Sequence, residues 1–157
     1  MEENNAATEQ PSGPQFAIQR TFIKDLSFET PMGVKVFTQA FQPKVKMDVN
    51  TRGNSIAEGV HEIVLTLTIT AKVEEDTAYI VELQQAGIFA INGFPEEQMA
   101  HVLGAVCPNF LFPYAREAVD SIVVKGGFPP LSIAPIDFDA IFRQSQASAD
   151  QSGQSLN

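Results

Sequence analysis

Histidine and cysteine are the most reactive side chains at neutral pH, and this chain has few of them. It contains two histidines, His61 and His101, and a single cysteine, Cys107. His101 and Cys107 lie six positions apart, and an imidazole beside a thiol can generate a thiolate nucleophile when a third group orients the histidine. No residue at a diagnostic position supplies that group, and nothing near Cys107 would hold a thiolate. We therefore interpret Cys107 as a structural residue at a helix end.

Metal, nucleotide and carboxylate chemistry also lack a sequence signature. The two histidines do not have the short spacing of metal ligands, and one cysteine excludes both a four-thiolate zinc site and an intrachain disulfide. Gly104 stands alone in a helical pattern, and the glycines at 126–127 are typical of a helix cap rather than a phosphate loop. The acid pairs at 74–75 and 96–97 fall in a turn and at a helix start, where solvated carboxylates are normal. We expect no catalytic residue, no cofactor and no metal, and we do not expect an enzyme.

Charge restricts the partners of the chain. Ten Lys and Arg against 19 Asp and Glu give a net charge of -9, the wrong sign for binding phosphates of nucleic acid or of anionic membranes. The start of the chain lacks the basic stretch and apolar core of a secretory signal, and no segment approaches the length of a membrane span. We predict a cytoplasmic protein that binds no nucleic acid and does not insert directly into a membrane.

Four segments alternate apolar and polar residues, which is the pattern of half-buried strands. They cover about residues 16–28, 45–49, 63–73 and 79–91. An acidic turn separates the last two, so we expect a hairpin. The fourth segment is expected to change its apolar face near Gly87, where a glycine suggests a β-bulge.

The second half of the chain changes to helical spacing. Pro95, followed by two acids, begins a helix that is expected to stop at Cys107. A longer helix is predicted from about residue 113 to 125, and Asp137 is placed to cap a last helix. The predicted fold class is α+β, with a four-stranded antiparallel sheet, a long crossover between strands 1 and 2, and helices packed on one face.

The composition predicts one folded domain between two polar ends. Residues 1–14 hold no aromatic and no β-branched aliphatic residue, and residues 144–157 hold only Leu156 as a large apolar group. Both ends are predicted to be disordered. The single domain is predicted to span residues 15–143.

Two irregular segments carry more apolar residues than ordinary loops do. The crossover loop, residues 30–43, is far longer than a hairpin needs, and the second loop, residues 127–138, contains three prolines. Both could fold down to cap a small core, but the chain has twelve phenylalanines, and one four-stranded sheet with two or three helices has a limited interior. Some of this surface should line a groove, an oligomer interface, or both. The apolar residues expected to line a groove are Met32, Val34, Phe37, Phe41, Phe128, Leu131, Ile133, Ile136 and Phe138.

Acidic residues mark the polar side of two strands. Asp25 and Glu29 share one face of the first strand, and Glu82 lies on the polar face of the fourth, beside Ile80. If these strands are neighbours, a flat acidic face results. A solvated sheet face explains the charges equally well, but an apolar Ile80 among acids favours a docking patch.

Several long runs of residues resemble one known family. They are KDLSFE at 24–29, ELQQAGIF at 82–89, MAHVLGAVCPNFLFPYARE at 99–117 and GGFPPLSIAPIDFDAIF at 126–142. Together they resemble the SecB family of bacterial protein-export chaperones over about residues 14–143. The resemblance implies a cytosolic homotetramer, a dimer of dimers, that holds unfolded precursor proteins and delivers them to the SecA motor. It also implies a SecB-like fold with no enzymatic activity and no nucleotide.

The resemblance also implies roles for individual residues. Asp25, Glu29, Ile80 and Glu82 match the face that docks SecA, and the crossover and second loops match the walls of the client groove. Residues that influence tetramer assembly in the family match Val81, Leu83 and Gln85, and the apolar helix positions Val119 and Ile122 are expected to join them. The chain departs from the family at Ala86, where a glycine is usual, and at Phe41, where a tryptophan is frequent.

A different class of function remains open at this stage. An oligomeric protein that binds a small molecule could use the same apolar loops as a pocket. Such a site would need converging polar groups, and none is recognisable in the sequence.

Overall fold

Four long antiparallel strands form one sheet in the computed structural model, which describes residues 13–153 and the side chains of residues 13–150. The strands are β1 (Gln15–Glu29), β2 (Lys44–Ala57), β3 (Val60–Val73) and β4 (Asp76–Asn92). Their order across the sheet is β1-β4-β3-β2, so β1 and β2 are the edges. The crossover loop carries the chain from one edge to the other. The predicted sheet, its antiparallel pairing and its long crossover are confirmed.

β4 keeps one apolar face along its length. Tyr79, Leu83 and Phe89 occupy odd positions and are all buried, and the pairing of β4 with β3 has no register shift near Gly87. The expected change of face and bulge at Gly87 is therefore wrong. Packing requires the glycine instead, because an added Cβ would lie 2.7 Å from the Phe89 ring and 2.8 Å from Leu111.

The register shifts near the acidic residues lie in β1. Its pairing with β4 shifts around residue 19 and again around Lys24. An extra residue in one strand reverses the face of the residues that follow it. Phe22 therefore pairs with Ala86 on the face away from the core, whereas Leu26 pairs with Leu83 on the core face.

The first helix does not stop where the sequence predicted. α1 (Glu96–His101) continues through a π-helical turn (Val102–Val106) into α2 (Cys107–Lys125). The Cys107 N–H donates to the carbonyl of Val102, five residues back. Pro108 has no N–H for the carbonyl four residues back, and its ring would press on that carbonyl in an ordinary turn. The wider π turn just before Pro108 lets the helix continue, so the predicted break at Cys107 is wrong.

The last helix is capped as predicted and runs further than predicted. α3 spans Phe138–Gly153, and the Ala140 N–H donates to Asp137 Oδ1 at 2.9 Å. We expected a disordered tail from residue 144, but helix continues there because no glycine or proline interrupts it before Gly153. Most of the predicted N-terminal polar segment lies outside the described residues, and the predicted domain boundaries stay a prediction.

The helices cover the face of the sheet formed by the odd residues of β3 and β4. α2 lies across these two strands, and α3 packs on the π turn. The core between them contains Leu65, Leu67 and Leu83, each fully buried. In the part of the chain that the structure describes, no helix has the length and apolar character needed to cross a membrane. The opposite face of the sheet carries no helix among the described residues.

The contact at Gly87 gives a direct test of this packing. Gly87→Ala is expected to destabilise the chain by about 1–3 kcal/mol, because the added methyl must displace Phe89 or Leu111 in a filled core. Thermal unfolding measures the change. Gly13→Ala is the matched control, since an added Cβ there meets nothing within 4 Å. An unchanged melting temperature for Gly87→Ala would contradict the close approach of α2 to β4.

Candidate functional site

A cluster of aromatic rings joins the two irregular loops. The buried ring of Phe128 lies at its centre, with ring centroids of Phe37 and Phe41 each at 5.2 Å and that of Tyr79 at 4.8 Å. Tilted aromatic rings at such distances attract one another, and this attraction adds to the stabilisation from the area that they bury. Gly127, at φ +90°, lies close to Phe37, where an added Cβ would be 3.2 Å from the ring. The structure thus brings together the phenylalanines that the sequence placed in separate loops.

The crossover loop exposes part of its apolar surface. A short 3₁₀ turn (Gly33–Thr38) forms its middle, and Gly33, at φ +59°, donates its N–H to the Thr30 carbonyl at 2.9 Å. Val36 is buried and anchors the turn, whereas Val34 is 79% exposed and Phe37 is 54% exposed. One side of the turn therefore holds the core while the other offers apolar area to solvent.

The second loop is fixed to α2 by one carboxylate. Asp120 Oδ1 accepts the backbone N–H of Leu131 at 2.9 Å and that of Ser132 at 3.2 Å. Ser132 has a φ of +50°, a conformation that a non-glycine residue adopts only when its surroundings hold it. Burial and the nearby Asp120 charge also raise the pKa of Tyr79 to about 12. Sequence reasoning missed Asp120 because the loop it binds has no regular spacing.

An apolar cleft of about 240 Å³ separates the second loop from β2. Val45 and Met47 of β2 form one wall, and Leu131 and Ile133 form the other. The sequence identified Val45 and Met47 only as strand residues. The alternation of Val45 and Met47 with polar residues is a signal that could have identified them. An edge strand has a neighbouring strand on one side only, so its apolar residues are less completely covered.

The nine predicted client-binding residues differ in exposure. Val34 and Phe37 are exposed, whereas Phe128 and Phe138 are 5% and 3% exposed. The two buried rings pack beneath the exposed residues. The ring centroid of Phe138 lies 5.9 Å from that of Phe112. We define the apolar groove as the surface formed by the exposed and half-buried apolar residues of both loops and β2. The half-buried predicted residues are Met32, Phe41, Leu131, Ile133 and Ile136.

The predicted acidic residues lie together on the sheet face opposite the helices. Glu29 pairs with Ile80, and the neighbouring pairs place Glu82 beside Ser27 and Asp25 beside Gln84. The three carboxylates are exposed and Ile80 is half-buried. We call Asp25, Glu29, Ile80 and Glu82 the acidic face. Within residues 13–150 its carboxylates take part in no ion pair.

Two cations on this sheet face contact other side chains. Lys24 Nζ bonds Glu62 Oε1 at 2.8 Å, and this bond lowers the pKa of Glu62. Arg52 Nη2 donates to Gln84 Oε1 at 3.3 Å. These two cations therefore form no ion pair with the carboxylates of the acidic face.

Four of the five predicted oligomer residues are buried inside the chain. Val81, Leu83 and Val119 are fully buried between the sheet and α2, and Gln85 Nε2 donates to the Phe22 carbonyl at 3.1 Å. Ile122 is half-buried. An effect of the buried residues on assembly would therefore be indirect. The apolar residues that α2 does expose are Phe110, Tyr114 and Val124, at 46%, 50% and 52%.

Cys107 is buried, and His101 contacts a carboxylate of α3. Burial raises the pKa of the Cys107 thiol to about 12, so the thiolate is negligible at neutral pH. His101 Nε2 contacts Asp139 Oδ1 in α3, a partner that the sequence did not reveal. This pair joins α3 to the end of α1. Among the described residues no three His, Cys, Asp or Glu side chains lie close enough to hold a metal ion.

Comparison with known proteins decides the family. A family model described as "Preprotein translocase subunit SecB" matches residues 9–149. The chain belongs to the SecB family. Protein-export protein SecB of Cellvibrio japonicus is 50% identical over 152 residues, which cover 96% of this chain and 91% of that protein. Those of Methylococcus capsulatus and Pseudomonas fluorescens are 51% and 47% identical over 154 residues, covering 98% of this chain and 97% of each relative.

A solved SecB-like chaperone has a similar fold. The Mycobacterium tuberculosis chaperone Rv1957, solved in complex with a ChAD peptide from the Rv1956 HigA1 antitoxin, aligns with a TM-score of 0.63 at 12% identity. The alignment covers 77% of this chain and 87% of that one. At this identity the likeness concerns the fold alone. Membership of the SecB family, in contrast, supports a chaperone role in protein export.

The Asp120 contact predicts how the groove wall responds to mutation. Asp120→Ala is expected to destabilise the chain by about 1–3 kcal/mol, because two backbone donors lose a charged acceptor. It should also speed hydrogen exchange at the Leu131 and Ser132 amides. Asp120→Asn is the matched control, since its side-chain oxygen can still accept both bonds. Unchanged exchange at these amides in Asp120→Ala would contradict the anchoring role.

Proposed function

We propose that this SecB-family chain is a cytoplasmic holdase that binds unfolded precursor proteins in the apolar groove and keeps them competent for export. The apolar groove is the observation that carries the proposal. Irregular backbone keeps part of its apolar surface exposed, and the chain belongs to a family of export chaperones. A core-capping loop would bury Val34 and Phe37, yet both are exposed.

The chemistry of the groove suits unfolded chains. Burial of apolar area contributes about 25 cal/mol per Å² and does not depend on sequence, so many clients can bind the same surface. Phenylalanine and methionine demand no hydrogen bond, and methionine repacks easily. Folded proteins hide their apolar side chains and are therefore rejected without a specific contact.

We also infer a partner for the acidic face. Three exposed carboxylates around a half-buried Ile80 favour a basic surface with an apolar contact at its centre. The resemblance to the family names this partner as SecA. The groove lies beside the helices and the acidic face lies on the opposite side of the sheet, so a client and a motor could bind at once.

The exposed side of α2 supports assembly into a homotetramer, a dimer of dimers. Phe110, Tyr114 and Val124 are spaced to share one side of the helix, and such an apolar strip is typical of an interface. Several grooves on one assembly would bind one long client with greater avidity than a single groove. This strip replaces the buried residues Val81, Leu83 and Val119 as the proposed contact surface.

The small-molecule alternative has little support. The side chains that line the 240 Å³ cleft are apolar apart from the hydroxyl of Ser132. A specific small-molecule site needs several converging polar groups.

Removal of exposed apolar groups tests the client site. Phe37→Ser with Val45→Ser should weaken binding of a reduced, carboxymethylated protein by tenfold or more, because each anchor contributes about 1–3 kcal/mol when buried by a client. Fluorescence titration and suppression of aggregation measure the change. Ile23→Ser, on β1 and similarly exposed at 49%, is the control and should bind like the parent. Undiminished binding by the folded double variant would mean that clients bind elsewhere.

Charge reversal tests the acidic face. Asp25→Lys, Glu29→Lys and Glu82→Lys together should weaken SecA binding by tenfold or more while client binding is kept, and added salt should weaken parental binding.

The control for this reversal carries the same change of charge elsewhere. Glu58, Glu74 and Glu75 lie in turns and are exposed, so their replacement by Lys should leave SecA binding within about threefold of the parent. Equal SecA affinity of the two triple variants would show that net charge, not the acidic face, determines binding.

A further inference from the structure

Asn92 is the one asparagine in the sequence that is followed by a glycine. The main-chain nitrogen of the residue after an asparagine can attack the side-chain carbon Cγ and close a five-membered ring. A side chain on that residue obstructs the attack, and glycine has none. Asparagine is one of the thermolabile residues of proteins. The pair Asn92–Gly93 therefore places a reactive carbonyl carbon next to an unobstructed nucleophile.

The fold leaves both reacting groups without hydrogen bonds. β4 ends at Asn92, so Gly93 is the first residue beyond the strand ladder. Within residues 13–150 the Gly93 N–H donates no hydrogen bond, and the side chain of Asn92 makes none. A hydrogen bond on either group would have to break before the ring could close. Here the ring can close without that cost.

The surroundings of the pair give room and access to water. Asn92 and Gly93 are both exposed, and they line an open recess of about 920 Å³ with Pro14 and Ala90 among its other walls. Gly93 has a φ of +77°, a conformation that glycine adopts without a steric cost. The chain turns out of the sheet at this residue and passes to α1. Solvent can therefore reach the nitrogen and the carbonyl carbon.

The other asparagines that the structure describes lack this combination. Asn54 lies within β2 and its side chain hydrogen-bonds Glu62. Asn50 also lies within β2 and precedes a β-branched threonine. Asn109 lies within α2 and precedes a bulky phenylalanine. Asn54 thus serves as an internal reference for a bonded asparagine of the same chain.

We propose that Asn92 is a site of spontaneous covalent modification. The Gly93 nitrogen loses its proton and forms a bond to Asn92 Cγ, and the bond from Cγ to Nδ2 breaks with release of ammonia. Water then opens the cyclic imide. Cleavage between the Gly93 nitrogen and Cγ yields aspartate, whereas cleavage between that nitrogen and the main-chain carbonyl carbon of Asn92 yields isoaspartate. Water is the only co-reactant, and the site does not depend on the proposed holdase function.

The modification changes the end of the sheet in two ways. The Asn92 carboxamide lies against Gly59 in the turn between β2 and β3, where an added Cβ would collide with it. Either product places a carboxylate at this turn, next to the exposed Glu58. Isoaspartate also adds one atom to the main chain at the residue that pairs with Gln15 of β1. The modified chain thus gains a negative charge and a longer connection from β4 to α1.

Peptide mapping of the aged full-length protein by mass spectrometry tests the proposal. The protein is incubated in mildly alkaline buffer made with water that carries heavy oxygen, and is then digested at acid pH. Asn92 should lose ammonia at least tenfold faster than Asn54 in the same sample, and the product should gain one heavy oxygen atom from water. A rate at Asn92 equal to or below that at Asn54 would overturn the proposal.

A single substitution identifies the residue that is modified. Asn92→Gln keeps the carboxamide but requires a six-membered ring, so modification at this position should fall at least tenfold. An enzyme that methylates isoaspartyl carboxylates should label the aged parent and leave the aged variant unlabelled. Equal labelling of the two proteins would place the isoaspartate elsewhere and would contradict the assignment to Asn92.

A peptide of residues 88–98 tests the contribution of the fold. This peptide has the same reacting pair with no sheet around it. Because the structure leaves both groups unbonded, Asn92 in the folded protein should react within tenfold of the rate in the peptide. A folded protein that reacts more than tenfold slower than the peptide would show that the end of β4 protects Asn92, and the inference would then be wrong.

Discussion

The packing of Phe128 is the interaction on which the rest of the site depends. Its buried ring contacts the crossover loop through Phe37 and Phe41 and the sheet through Tyr79, immediately after α2 ends. The crossover loop has only one short 3₁₀ turn, and the second loop has no helix or strand before Phe138. The aromatic cluster and the Asp120 carboxylate therefore hold the two loops in position. With the interior of the loops fixed in this way, their outer apolar residues can stay exposed without collapse of the loops.

The sheet separates the two proposed binding activities. One face is covered by helices and continues into the apolar groove, and the other carries the exposed carboxylates of the acidic face. The second register shift in β1 reverses the change of face made by the first, so Asp25 and Glu29 lie on the open face while Leu26 and Phe28 stay against the core. Entropy-driven apolar binding and salt-sensitive charge pairing can therefore act on one chain without sharing residues.

The sequence predicted the parts of the fold that follow from local periodicity and missed those set by distant packing. Alternation in β3 and the cap at Asp137 are local features, and both predictions are confirmed. The π turn before Pro108 and the role of Gly87 depend on neighbours far along the chain, so spacing alone predicted a helix break and a bulge. For the site, apolar loop residues were identified by composition, but composition could not separate buried Phe128 and Phe138 from exposed Val34 and Phe37. Val45, Met47 and Asp120 were missed because their roles arise only when a loop packs against them.

Native mass spectrometry with and without an unfolded polypeptide tests the central claim most directly, that an assembly of this chain holds unfolded clients. Without client, the account predicts a particle of about four times the chain mass of 17.1 kDa. With reduced, carboxymethylated client, it predicts the same assembly plus one client chain, and no such shift with the folded form of that protein. A strictly monomeric particle at micromolar concentration, or an assembly that gains no mass from the unfolded chain, would contradict the account.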